Sequence, residues 1–561
     1  MPVETAERVP APGQRLRGVP VSPGRALGPA VRVADPPAEP GPAPAPEDPG
    51  AEAARIRPAA EAVSRALRER PAATGETRAI LDTTAAMASD PALLAEAEKA
   101  VTERGLPAGR AVHEAAGYFA STLAASGDYL AQRARDIRDV RDRIIAELAG
   151  EAAPGVPEIT GPSVLVARDL APADTADLDP SLVLALVTEE GGPTSHTAIL
   201  ARSLGIPAVV AAPGAAGADV AGASVDGETG EVELLDHAPP AAPAARPRPD
   251  HQVAAGATAD GHPVALLANV GSAADARSAA DLGMAGCGLL RTEFCFLEAA
   301  TEPDEDTQRA AYREILAPLE GKPVVVRTLD AGADKPLPFL DMTGEPNPAL
   351  GVRGLRLAAD RPGLVERQLA AIAGAAADTG AEVAVMAPMV ATPEEAAWFA
   401  ERARAAGHPR AGVMVETPAA VMSGPDLLEA VDFLSVGTND LAQYMFAADR
   451  LSGSLARLND PWQPALLRAV AELARAGRDH DSYVGVCGEA AADPLLAGVL
   501  AGLGVTGLSM AVSAAPAVSH ALAQHTHDDH ERAARDALSA TGPDAARRRA
   551  RAALTPSATQ E

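Results

Sequence analysis

From residue 262 onward, short apolar runs alternate with helical stretches. The runs are HPVALLANV, GCGLLRTEF, PVVVRTLD, EVAVMAPMV, GVMVET, DFLSVGTND, YVGVCGE and GVTGLSM. Eight strand-then-helix units spread over roughly 270 residues predict a (β/α)8 barrel in both length and count. Residues 160–235 follow a different pattern. There SVLVARDL, LVLALVTEEGG and IPAVVAAP are β-branched runs closed by Gly, Pro or Asp, and they predict a small α/β domain. The strand-like RGVPVSPGRALGPAVRV near the N-terminus completes it.

Between these regions and the first Pro-rich segment the period is helical. In YLAQRARDIRDVRDRIIAEL, Leu130, Ala134, Ile137, Arg141, Ile144 and Leu148 fall three and four apart, and all but Arg141 are apolar. ILDTTAAMASDPALLAEAEKAV predicts two helices broken at Asp90-Pro91, with Asp90 as a cap. Residues 34–50 and 238–250 are too rich in Pro for a helix or a central strand and predict linkers. At about 3.3 Å per residue, the second linker spans roughly 40 Å when extended. After about residue 522 the chain turns polar and then basic (DAARRRARAAL), which predicts a mobile or helical extension. The expected organisation is therefore an α/β domain from 16–35 and 155–237, a helical subdomain at 50–150 inserted into it, a linker at 238–250, a barrel at 251–522 and a tail at 523–561.

Composition narrows the function. Acidic residues outnumber basic ones by 76 to 48, a formal charge of -28 that disfavours binding to a phosphate-covered duplex. The three cysteines, Cys287, Cys295 and Cys487, form no Cys-x-x-Cys pair, so neither a disulfide framework nor a zinc ribbon is indicated. No apolar signal core occupies residues 1–20 and no run approaches a membrane span, so the expected location is cytoplasmic.

Two constellations carry chemistry. In Gly191-Gly192-Pro193-Thr194-Ser195-His196-Thr197-Ala198-Ile199-Leu200-Ala201-Arg202, two glycines let the backbone turn sharply after a strand. Thr194 or Ser195 then caps a helix with His196 in its first turn. Free N–H groups and the helix dipole there favour a phosphate on the imidazole, and the neutral ring nitrogen is a nucleophile near pH 7. In the barrel, Arg291, Arg327, Glu416, Asn439, Asp440 and Cys487 fall at the C-terminal ends of strands, where barrel enzymes place their active sites. Glu416 and Asp440 end adjacent strands and offer the hard oxygens that magnesium takes. Arg291 and Arg327 present forks for carboxylate and phosphate, with Arg353, Arg450 and Lys335 as further cations.

The His196 segment resembles the phosphohistidine motif of enzyme I of the bacterial sugar phosphotransferase system, of pyruvate phosphate dikinase and of phosphoenolpyruvate synthase. Pro193 stands where many enzyme I sequences have Arg. Further enzyme I-like segments are GLLRTEF around Arg291, VRTLD around Arg327, NPALGVR around Arg353, GTNDLAQY around Asp440 and VCGE around Cys487. Ala331-Gly332-Ala333-Asp334-Lys335 departs from the commoner Gly-Gly-Asp-Lys, which reads as a packing change because Lys335 remains. The resemblance runs from about residue 16 to 520 with its motifs in order. It implies that His196 carries the phosphoryl group, and that Arg291, Arg327, Arg353, Arg450, Lys335, Asn439 and Asp440 bind phosphoenolpyruvate. It further implies that Glu416 and Asp440 hold Mg2+ and that Cys487 protonates the enolate. The implied partner is the histidine-containing phosphocarrier protein HPr, docked on the 50–150 block, and the implied assembly is a homodimer through the barrel. The dikinases and synthases also require a nucleotide-grasp domain, and no Gly-rich nucleotide loop of the Walker type occurs before His196.

Overall fold

The computed structural model describes residues 14–555 except 23, 42–43, 71–74, 125–127, 152, 158, 171, 176–177, 180, 193–196, 199, 202–204, 218–219, 242–255, 298, 334, 341, 343–344, 451 and 453–454. The chain divides into two compact units, Met1–Arg246 and Pro247–Glu561.

In the first unit, eight strands form one mixed sheet: β1 (Arg15–Arg17), β2 (Val19–Ser22), β3 (Arg25–Arg32), β4 (Ser163–Ala167), β5 (Val183–Thr188), β6 (Ala208–Val210), β7 (Gly222–Asp226) and β8 (Glu231–Leu235). Their order is β1-β8-β7-β3-β4-β5-β6-β2. The strand-like N-terminal run holds two strands, β2 and β3, and starts on the last residue of β1; β1 and β2 lie at opposite ends of the sheet. β4 and β5 are buried along their whole length, as central parallel strands must be. Between β3 and β4 the chain leaves the sheet for α1 (Pro49–Ala53), α2 (Ile56–Glu69), α3 (Gly75–Ala88), α4 (Pro91–Arg104), α5 (Ala108–Ala124) and α6 (Asp128–Ala149). These helices have their own core, which includes Ile56, Leu67, Leu81, Leu94, Val101, Val112 and Ile144. Ile137 and Leu148 of the α6 stripe pack against that core, while Arg141 pairs with Asp142 instead. The side chains of Leu130 and Ala134 lie outside the described residues.

The break at Asp90-Pro91 is a capped helix start. The Asp90 carboxylate accepts from the N–H groups of Ala92 at 2.8 Å and Leu93 at 3.0 Å, with Pro91 in the first turn where no donor is needed. Asp90→Ala should therefore cost about 1 kcal/mol in urea denaturation, and Asp90→Asn, itself a good cap, should cost far less.

In the second unit all eight sequence runs become strands: β9 (Ala265–Val270), β10 (Gly286–Leu290), β11 (Pro323–Arg327), β12 (Glu382–Val390), β13 (Ala411–Val415), β14 (Phe433–Gly437), β15 (Tyr483–Cys487) and β16 (Gly507–Met510). Each pairs in parallel with the next, and β16 closes on β9. Helices follow the strands and bury their apolar faces on the outside of the barrel. Inside it, Leu289, Ala384, Met386, Met414, Phe433 and Cys487 fill the lumen, so the barrel is a packed core with a site at one mouth. The basic tail is neither loose nor peripheral. Helices His527–Leu538 and Pro543–Leu554 insert Ala533, Ala534, Ala537, Ala546 and Ala550 into the barrel unit's core. Arg547 of the second helix pairs with the buried Asp460 at 3.3 Å.

Candidate active site

Gly191, the first residue of the Gly-Gly pair after β5, has φ +95°, a turn that a side chain would strain. Residues 197–198 and 200–201 are helical, so a helix does follow the turn. His196 itself, with Pro193, Thr194 and Ser195, lies outside the described residues.

The barrel candidates converge at the C-terminal mouth. Parallel pairing sets their level: Val415 lies beside Val436, and Gly437 beside Cys487. Glu416 is the first residue beyond β13, Asn439 and Asp440 open the helix Thr438–Phe446 after β14, and Cys487 is the last residue of β15. A side chain at Gly437 would come within 2.8 Å of Glu416 Oε1, so the absence of one gives Glu416 its room.

Arg353 is the hub. It is 1% exposed, and its guanidinium reaches two carboxylates at once. Nε and Nη2 donate to Asp330 at 3.1 Å each, and Nη1 and Nη2 donate to Asp440 at 3.3 Å each. Asp330 also accepts from Lys335 Nζ at 3.0 Å and lies 3.5 Å from Arg327 Nη1. Arg450 Nη1 donates to Asp440 at 3.3 Å. Arg327 Nη2 donates to Glu293 at 2.8 Å, Nη1 lies 3.7 Å from Met414 Sδ at the top of the lumen, and Nε is buried without a partner among the described residues. Arg291 is exposed after β10, and among the described residues its guanidinium has no ion pair. Asn439 accepts from the Glu489 N–H at 3.4 Å. Ala331, in the segment that departs from the enzyme I pattern, is buried with Phe296, Leu329 and Leu337.

Charge in this low-dielectric setting is costly unless paired, and pairing decides each ionisation. Burial opposes the charge on Asp330, but Lys335, Arg327 and Arg353 outweigh it and hold the carboxyl well below the usual range. Asp440 follows the same pattern, with burial outweighed by Arg450, Arg353 and Lys335. Burial also opposes the Arg327 cation, and Glu293, Asp330 and Glu416 more than restore it. Glu416 is the exception. Burial, then repulsion from Asp440 and from Asp330, push its carboxyl up to about 7 against the pull of Arg327 and Arg353. Among the described residues its Oε2 accepts only a backbone bond from Met389, at 2.9 Å. Burial likewise pushes the Cys487 thiol up to about 11, so it is protonated at neutral pH. Its Sγ lies 3.4 Å from the Val436 carbonyl and 3.6 Å from Ser435 Oγ.

Two members of this cluster were not among the residues singled out from sequence, Glu293 and Asp330. Both lie inside segments that carried a signal, Arg-Thr-Glu-Phe and Thr-Leu-Asp. What the sequence does not display is that each carboxylate faces an arginine distant in the chain, Glu293 facing Arg327 34 positions on and Asp330 facing Arg353 23 positions on.

A barrel mouth crowded with arginines, a lysine, paired carboxylates and a protonated thiol suits a small multiply charged anion. Three family descriptions match in order: "PEP-utilising enzyme, N-terminal" over residues 17–133, "PEP-utilising enzyme, mobile domain" over 159–230 and "PEP-utilising enzyme, PEP-binding domain" over 248–527. The phosphoenolpyruvate-protein phosphotransferase of Streptomyces coelicolor is 52% identical over 478 residues, covering 83% of this chain and 85% of that one. Its counterpart in Haloferax volcanii is 42% identical over 454 residues, covering 78% and 80%. A multiphosphoryl transfer protein of Xanthomonas campestris is 44% identical over 429 residues, covering 72% of this chain and 51% of its own length. The chain is thus a phosphoenolpyruvate-utilising enzyme. It belongs to the phosphoenolpyruvate-protein phosphotransferases, the enzyme I family, and catalyses phosphoenolpyruvate-dependent phosphotransfer. Among the described residues, no helix is long and apolar enough to cross a membrane.

Proposed function

We propose that this enzyme transfers the phosphoryl group of phosphoenolpyruvate to its own His196, releases pyruvate, and passes the group to a histidine of the phosphocarrier protein HPr. That sequence is the general first step of sugar uptake by a phosphotransferase system. The enzyme is read as a cytoplasmic homodimer joined through the barrel, with no nucleic-acid or membrane partner. Residues 16–35 and 155–237 form the phosphohistidine domain, 50–150 the carrier-binding subdomain, 238–250 the linker, 251–522 the substrate barrel and 523–561 the tail. The convergence of Arg327, Arg353, Lys335 and Arg450 with Glu416, Asp440 and Cys487 at one barrel mouth carries this reading.

Magnesium fits the donor set. Glu416 and Asp440 are two hard carboxylates whose repulsion a divalent cation relieves, and among the described residues no third protein ligand joins them. Held there by Glu416 and Asp440, a magnesium ion would supply neutralisation of charge on the transferring group. Arg291, Arg327, Arg353, Arg450, Lys335 and Asn439 hold the phosphate and carboxylate of the substrate. His196 attacks phosphorus in line, the bond to the enol oxygen breaks, and the enolate takes the Cys487 proton at its methylene carbon to give pyruvate. Solvent then reprotonates the thiolate. Phosphorylated His196 moves to the carrier, so the first unit must swivel on its linker.

Glu416→Gln should raise the magnesium concentration for half-maximal activity by at least the roughly tenfold typical of a disturbed metal site. The test of the whole reading is pyruvate release from phosphoenolpyruvate and magnesium with and without purified HPr. One equivalent without the carrier and sustained turnover with it is the expected result. Turnover indifferent to the carrier would sink the proposed second step.

A further inference from the structure

Behind the arginine-bearing strand ends lies a buried polar network that the chemistry above does not use. Gln368, on the helix Pro362–Thr379, is 2% exposed and satisfies its whole amide. Its Oε1 accepts from the Leu329 N–H at 2.9 Å, just past Arg327. Its Nε2 donates to Thr292 Oγ1 at 3.0 Å, between Arg291 and Glu293, and to the Tyr312 hydroxyl at 3.0 Å. Thr292 Oγ1 in turn donates to the Arg327 carbonyl at 3.0 Å. Tyr312 donates to Gln308 at 3.2 Å, and Gln308 donates to the Pro303 carbonyl at 3.0 Å. Thr292 and Gln308 are fully buried.

This wiring has a direction. β10 and β11 are neighbours, but their ladder ends at Leu290 and Val326, one residue short of each arginine. Beyond it the two chain segments are joined by side chains: Thr292 to the Arg327 carbonyl, Gln368 to both Thr292 and Leu329, and Glu293 to the Asp330 N–H at 3.1 Å. A buried core that needed only to be filled would be served as well by an apolar residue, since a hydrogen-bonded amide contributes little more stability than a well-packed isostere. What an amide adds is geometry, because two donors and one acceptor in a plane fix three partners at once.

We infer that Gln368, acting through Thr292, is a positioning residue for phosphoenolpyruvate: it locks the ends of β10 and β11 together so that the Arg291 and Arg327 forks are spaced for one substrate. The inference rests on the reading of those arginines as substrate ligands. Neither Gln368 nor Thr292 touches the substrate, and both act on affinity.

The test is the steady-state kinetics of full-length variants with phosphoenolpyruvate, magnesium and carrier, alongside thermal denaturation to give the folded fraction. Gln368→Met and Thr292→Val should each raise KM for phosphoenolpyruvate about tenfold or more while kcat per folded molecule changes little. Because both break one bridge, the double variant should be no worse than the poorer single one. Thr292→Ser, which keeps the hydroxyl, should retain the parent KM, and this comparison stands even if Gln368→Met does not fold. Tyr312→Phe, which leaves the Thr292–Gln368–Leu329 bridge intact, should lower stability without moving KM. An unchanged KM with activity falling in step with the folded fraction would overturn the inference, as would single effects that multiply in the double variant. Arg327→Lys, run in parallel, separates the two possible failures. If it raises KM while the bridge variants do not, the brace is wrong. If it too leaves KM unchanged, the assignment of Arg327 as a ligand is wrong, and the inference falls with it.

Discussion

Arg353→Leu should lower phosphoenolpyruvate turnover by at least about 10²–10³ and destabilise the barrel unit by about 3–5 kcal/mol, the usual cost of removing one partner from a buried ion pair. The side chain is 1% exposed and spans Asp330 and Asp440, each of them buried and ionised. Leucine fills much of the same volume, so the loss reports charge rather than a cavity. Asp330 would keep Lys335 and Arg327, and Asp440 would keep Arg450, but neither carboxylate would retain a bidentate partner. Lysine at 353 restores the charge but not the fork, and should recover stability in part and activity hardly at all. If Arg353 holds the substrate as proposed, its loss removes a fixed donor from a developing phosphoryl charge, a change that costs roughly 10²–10³ in kcat, and displaced carboxylates add to that. Urea denaturation and initial rates measured on the same preparation check both halves. A leucine variant as stable and as active as its parent would remove Arg353 from the centre of the account.

The second large effect is at Cys487. Cys487→Ala should lower kcat for pyruvate formation by about 10²–10⁴, the range for loss of a positioned general acid, with little change in affinity for phosphoenolpyruvate. The thiol sits at the top of the packed lumen, hydrogen-bonded to Val436 and Ser435, so alanine there removes a proton donor without opening the site. The pH profile gives an independent check. An exposed thiol loses its proton near 8.5, whereas burial pushes this one up to about 11. An acid works only while protonated, so the alkaline limb of kcat due to Cys487 should fall near 11 and not near 8.5. A limb at 8.5 that disappears in the alanine variant would show an ordinary, solvated thiol.

Much of this was legible in the sequence because the barrel is built from repeated local signals. Six of the eight barrel runs are closed by Gly or a charged residue, and all eight are strands. Asp90-Pro91 announced a helix start through residue chemistry alone. The hairpin of β7 and β8 carries a weaker signal, since GASVD and EVELL have few apolar residues and alternate with polar ones around Gly227–Gly230. The tail is helical, one of the two forms its sequence allows, but its packing into the barrel unit does not show in the sequence for a similar reason. Its buried face is alanine, which has little transfer energy to register as a stripe, yet six alanines there, Ala540 included, join the core. Asp330, Glu293 and Gln368 were invisible for a different reason. A carboxylate after a strand, or a glutamine on a helix, reads as surface until the fold brings Arg353 to the first, Arg327 to the second and Thr292 to the third.

In the proposed reaction His196 takes the phosphoryl group directly from phosphoenolpyruvate. Mass spectrometry of the purified protein after incubation with phosphoenolpyruvate and magnesium, comparing the parent with His196→Ala, tests it most directly. The expected result is one acid-labile phosphate on His196, an equal amount of pyruvate, and neither in the alanine variant. A phosphate on another residue, or label that survives His196→Ala, would contradict it.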